Sequence, residues 1–258
     1  MYGSTKDNHK LENARKTLEY LYKKIPDTKG CMEHISKPVD KGGCGAWCCE
    51  LQNPQVLYSE FLLTWDHITH NWSDEKVGEL IRRSLENYMQ DSHVKGCVFW
   101  DKKTKLCGQH ETRPFNCRVY GITPEEEWKP RYERLKVIYP DTRPQCGLVS
   151  TADGSEFTKK KSDAIWKEVK QVEQMIGISS ELITDDFGGS YRTYHDHILL
   201  HIFGESGMEF LTDIKVNSSN EEKAEHIDHL MKAYWSYQKD LREHGRPGQQ
   251  SESEDSES

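Results

Sequence analysis

The sequence predicts a mainly α-helical fold with a small β-hairpin, organised as a cysteine-rich metal-binding unit with a helical unit packed on it. Three features carry this: apolar residues recur at helical spacing, helix-starting residues stand at the heads of those stretches, and all eight cysteines fall between Cys31 and Cys146. Nothing after Cys146 carries a thiol.

Leu11, Ala14, Leu18, Leu21 and Ile25 form the first apolar stripe, which Pro26 stops. Residues 55–71, rich in leucine and aromatics, read as a second helix. Ser73 caps a third, with Asp74 and Glu75 in its first turn and Val77, Ile81, Leu85 and Tyr88 facing inward. The segment from Val98 to Leu106 has strand-like ends around a polar turn. It reads as a hairpin with Cys97 and Cys107 at its base. Thr123-Pro124-Glu125-Glu126 is a sharp helix start. Two more helices are predicted, over 158–176 with the stripe Ile165, Val169, Val172 and Ile176, and over 220–243 behind the capping box that runs from Ser219 to Glu222. Turn chemistry at 150–156 sets a boundary. It leaves 1–150 as the metal-binding unit, 156–244 as the helical unit and 245–258 as a disordered acidic tail. No internal repeat is visible.

Charge and hydropathy narrow the function. A net charge of −8 speaks against general nucleic-acid binding, which needs a basic face. No apolar run reaches bilayer length, and the first 25 residues hold no apolar signal core, so the expected setting is the cytoplasm, with reduced thiols. A chain of 258 residues has no need of a disulfide framework. Phosphate-loop, dinucleotide and nucleophile-elbow motifs are absent.

The thiols therefore read as metal ligands. Cys31, Cys44, Cys48, Cys49, Cys97, Cys107, Cys117 and Cys146 form the candidate set, since thiolates select zinc, copper(I) or iron–sulfur clusters. Gly42, Gly43 and Gly45 let the backbone turn closely around an ion. Adjacent side chains diverge in regular structure, so Cys48 and Cys49 suggest more than one centre or a multi-iron cluster. Paired C-x2-C spacings of zinc sites are lacking. Thiols dispersed among Trp47, Phe99, Trp100 and Phe115 favour one or two iron–sulfur clusters, of the 4Fe-4S type, with zinc as the alternative. Arg113 and Arg118, beside Pro114 and Cys117, are candidates to offset thiolate charge or to grip an anionic cofactor; their other reading is pairing with Glu111, Glu125 or Glu126. Arg143-Pro144-Gln145-Cys146 echoes that arrangement.

Cys44-Gly45, Cys48-Cys49, Cys97-Val-Phe-Trp, Cys107, Arg113-Pro114, Cys117-Arg118 and Tyr120 together resemble the YkgJ-type cysteine-cluster family, the CxxCxxCC zinc- or iron-chelating proteins, which includes flagellin lysine N-methylases. The likeness spans roughly residues 30–146. The family's name motif has a cysteine three positions before Cys-Gly, where this chain has Lys41, and one residue fewer before the double cysteine. The resemblance implies metal binding and brings methyl transfer, with S-adenosylmethionine as a further cofactor, among the chemistries to consider. It leaves open whether the chain is an enzyme, and its substrate, partners and oligomeric state with it.

A second constellation, His195, Asp196, His197 and His201, with His226 and His229 on the last helix, has the residue types of a two-histidine, one-carboxylate site. Flanking Ile198, Leu199 and Leu200 favour half-buried packing instead. His67 and His70 likewise read as helix-face residues.

Overall fold

The structure, a computed structural model, describes residues 8–30, 48–49, 53–91, 95–101, 103–104, 106–138, 140, 149–184 and 188–244. Of the expected features, Cys31, Cys44, Cys146, Trp47, Arg143 and the tail over 245–258 lie outside the described residues.

Helix α1 (Asn8–Tyr22) buries Ala14, Leu18 and Leu21, and Ile25 follows into the same core. A two-residue strand β1 (Thr28–Lys29) comes next, then β2 (Gln55–Leu57), α2 (Tyr58–Asn71) and α3 (Asp74–Met89). The stretch over 55–71 is thus a strand followed by a helix. Leu57 stays extended at φ −75° and ψ 158°, and its N–H is taken by the Glu60 carboxylate at 3.0 Å, which starts α2 at Tyr58. Ser73 caps α3 through its side chain, which accepts from Lys76 N–H. The stripe Val77, Ile81 and Leu85 is buried, whereas Tyr88 is half-exposed and bonds Thr212 Oγ1 at 2.7 Å.

Three further helices follow: α4 (Phe115–Val119), α5 (Glu125–Ile138) and, after strand β3 (Ser150–Thr151), α6 (Lys159–Met175). Thr158 caps α6, whose stripe Ile165, Val169 and Val172 is buried with Ile176. Strand β4 (Tyr191–Thr193) leads into α7 (Tyr194–Asn217), kinked at Gly204, whose φ of 69° lies in the left-handed region. The last helix, α8 (Asn220–His244), opens with the reciprocal capping box: Ser219 N–H donates to Glu222 Oε2 at 2.7 Å and Glu222 N–H to Ser219 Oγ at 3.2 Å.

Helix α1 packs on α6, and α3 packs on α7 and α8. Two antiparallel ribbons cross between the halves of the chain. β1 pairs with β3 (Thr28↔Thr151, Lys29↔Ser150), and β2 pairs with β4 (Gln55↔Thr193, Val56↔Arg192, Leu57↔Tyr191). One apolar cluster holds residues from Ala14 to Met231, drawn from both sides of the 150–156 turn. Among the described residues, no helix is long and apolar enough to cross a membrane.

Candidate metal centre

Three stretches distant in sequence bring the five described thiols into one neighbourhood, and backbone bonds tie two of them. Cys97 N–H donates to the Cys49 carbonyl at 2.7 Å, fixing the Cys48-Cys49 pair to the start of the hairpin. The hairpin forms over the predicted segment. Trp100 and Cys107 make an antiparallel bridge, with Asp101 N–H to Leu106 O at 3.1 Å and Gly108 N–H to Phe99 O at 2.8 Å. Asp101 closes its turn by accepting from Lys103 N–H (2.7 Å) and Thr104 N–H (2.9 Å), and those bonds hold its carboxyl below the usual range. Buried Trp100 packs on Cys49 and Cys97, which gives the site an apolar wall. Gln109 N–H approaches Cys107 Sγ at 3.4 Å.

Cys117 arrives on α4. Five residues make too short a helix to persist alone, so α4 depends on what grips it. Asn116 Nδ2 donates to the Gln55 carbonyl at 2.8 Å and to Tyr191 OH at 2.7 Å, anchoring α4 to the β2–β4 ribbon. Arg118 Nε donates to the Arg113 carbonyl at 2.6 Å and its Nη2 to the Glu111 carbonyl at 2.7 Å, while its guanidinium lies 4.4 Å from the centre of the Tyr22 ring. Arg113 Nε donates to the His110 carbonyl at 3.0 Å. Among the described residues neither arginine forms an ion pair with Glu111, Glu125 or Glu126; Arg118 braces the loop by its backbone instead.

The electrostatics describe thiols that share a space. The Cys48 and Cys49 sulfurs lie 4.0 Å apart. Two sulfurs bound at 2.3 Å to one tetrahedral ion would be about 3.8 Å apart, so this adjacent pair can serve a single ion without being split between centres. Their contact lowers the Cys48 thiol and, with burial, raises that of Cys49. Burial pushes Cys97 up to about 12, with Cys107 adding to it, and raises Cys107. Cys117 stands well above the usual value through burial and then through Cys97 and Cys107. Arg113 opposes the rise at Cys107 and Cys117, and Arg83, on α3, does so at Cys97. The donor set suits a soft cation: neighbouring thiolates repel one another, and a bound metal reverses that penalty. Among the described residues no three His, Cys, Asp or Glu side chains close into metal-ligand geometry.

At the start of α4 sits a buried residue that the sequence motifs do not announce. Glu60, 1 % exposed, accepts at Oε1 from Tyr22 O–H (2.6 Å) and Phe115 N–H (2.6 Å), and at Oε2 from Leu57 N–H. Burial raises its carboxyl, and the Phe115 N–H opposes that most strongly. Its one legible signal is an acid set inside the apolar run Tyr58-Ser-Glu-Phe-Leu-Leu63.

The histidines do not converge. His195 bonds Asn53 and Thr193, His197 Nε2 donates to the Val56 carbonyl at 3.0 Å and stacks on Phe61, and His201 meets Phe61 and Trp65 edge-on. Burial holds His195 and His197 down to about 4, so both are neutral imidazoles.

No curated protein and no solved structure matches the chain. The stretch that supplies all five described thiols does have a counterpart: residues 40–135 match the model of the CxxCxxCC family, described as a "putative zinc- or iron-chelating domain".

Proposed function

We propose that this protein binds metal through its clustered cysteine thiolates, and that the bound species is an iron–sulfur cluster. The observation that carries the reading is the gathering of Cys48, Cys49, Cys97, Cys107 and Cys117 from three separate stretches into one neighbourhood, where burial and neighbouring sulfurs raise Cys49, Cys97, Cys107 and Cys117 while contact with Cys49 lowers Cys48. Buried Trp100, packed on Cys49 and Cys97, supplies part of the apolar wall that such a cluster needs to keep water away. The matched domain's description, zinc- or iron-chelating, supports the metal.

The 4.0 Å separation of the Cys48 and Cys49 sulfurs favours a second reading, a single zinc ion that fastens an interaction surface. Purification without oxygen, followed by iron, zinc and acid-labile sulfide analysis, decides between them. A brown protein with iron and sulfide supports the cluster; a colourless protein with stoichiometric zinc overturns it. For a cluster-bearing protein, the resemblance seen in the sequence makes methyl transfer the reaction class to test. Addition of S-adenosylmethionine should then change the cluster's spectrum, and an unchanged spectrum counts against that chemistry.

A further inference from the structure

We infer that Glu60 is a positioning residue for the Cys117 ligand: its buried carboxylate caps the short helix that carries this thiol and clamps it to the helical body. The inference rests on the metal-binding reading above. Three observations lead to it.

First, α4 has no cap of its own. Pro114 occupies the N-cap position, offers no side-chain acceptor, and leaves the Phe115 N–H to find a partner elsewhere. Glu60, 55 positions earlier in the chain, supplies that acceptor at 2.6 Å. Second, among the described residues Glu60 accepts only from donors: Tyr22 O–H, Phe115 N–H and Leu57 N–H. A carboxylate surrounded only by donors is satisfied as the anion, which makes burial of its charge tolerable. Third, the same unit holds the other end of α4. The Tyr22 ring that donates to Glu60 also carries the Arg118 guanidinium on its face, and Arg118 in turn bonds the carbonyls of Arg113 and Glu111. Cys117 lies between Phe115 and Arg118, so its direction is set from both sides by groups linked through Tyr22 and Glu60.

Glu60→Gln keeps the size but substitutes an amide. Its single oxygen can still serve Tyr22 and Phe115, but its NH2 then faces the Leu57 N–H, donor against donor. The clamp loosens and Cys117 loses its aim.

Cobalt(II) is the probe, since thiolate sites for zinc or iron accept it and its thiolate charge-transfer absorption counts the sulfurs bound. The full chain, reduced and metal-free, is titrated as wild type, Glu60→Gln, Cys117→Ser and the double variant. The expected result is a loss of cobalt affinity of about 10–100-fold in Glu60→Gln, as found for groups that orient metal ligands, with weakened charge-transfer absorption like that of Cys117→Ser and no further loss in the double variant. Unchanged affinity in Glu60→Gln overturns the inference. So does an equal loss in the Cys117→Ser background, because Glu60 would then act on the fold at large. If Glu60→Gln does not reach the native helical circular dichroism, Tyr22→Phe, which removes one donor and keeps the ring over Arg118, is carried through the same cycle with the same criteria. A wild type that develops no cobalt–thiolate absorption removes the metal-binding reading itself, an outcome distinct from a failure of Glu60 alone.

Discussion

A thiol that keeps its proton is a poor ligand, and Cys97, Cys107 and Cys117 all hold theirs more tightly than a free cysteine does. Metal uptake must therefore drive protons off, and affinity should rise with pH across the neutral range. Calorimetry in buffers of different ionisation enthalpy should show more than about one proton released per ion bound at pH 7; release of none would mean that these thiols do not ligate. His197 sets a second dependence, on stability. Burial lowers it to about 4 against about 6.5 in the unfolded chain, so between those values the unfolded state binds more protons and stability rises with pH. The contribution, about 3 kcal/mol, is complete above pH 6.5 and lost as pH falls towards 4. Urea unfolding at pH 7 and pH 5 should show the drop, and His197→Phe should flatten it; an identical slope in the variant would assign it to other groups. At this scale the thiols were legible in the sequence because spacing and glycine content announce them. Glu60 was not, because its partners Tyr22 and Phe115 stand 38 and 55 positions away.

At the scale of elements, α1, α3, α6 and α8 were readable because each buries one stripe, and α3, α6 and α8 start on a recognisable cap. Helix α7 was not, because its first turns bury Tyr194, His195, His197, Ile198, Leu199 and Leu200 with no single stripe. The ribbons were not. A strand of two or three residues has no room for alternation, and β2 ran into the apolar pattern of α2. The meeting of α3 with α8 was hidden as well, and it turns on Gly78. A Cβ there would lie 2.1 Å from the Trp235 ring, so the helices approach as closely as they do only because that position has no side chain. Gly78→Ala gains about 1 kcal/mol of helix propensity and forces the half-buried indole outward at about 1–3 kcal/mol. Net destabilisation of about 1 kcal/mol is expected in thermal melts. Trp235→Leu in the same chain should recover most of it. A stabilised Gly78→Ala single variant would show that the indole yields freely.

For the molecule as a whole, the thiol-bearing stretches and the helical remainder share one core, so what happens at the metal should be felt throughout. A ligand that binds only the folded state raises stability with its own affinity. Chelation under reducing conditions should accordingly lower the melting temperature of the entire helical signal in one transition. Separate transitions, with only part of the helix content sensitive to chelator, would show that the core does not couple the two halves.

The β1–β3 pairing has a topological consequence. Every cysteine, from Cys31 to Cys146, lies in sequence between Lys29 and Ser150, and those two residues are partners in the ribbon. The interval is a closed ring, cinched at its neck like a drawstring bag. Closing a loop of that length costs entropy once, at the neck, and each ion that later joins sulfurs across the ring starts from a circuit already shut. A single proteolytic cut anywhere in the interval should leave the two fragments bound to one another.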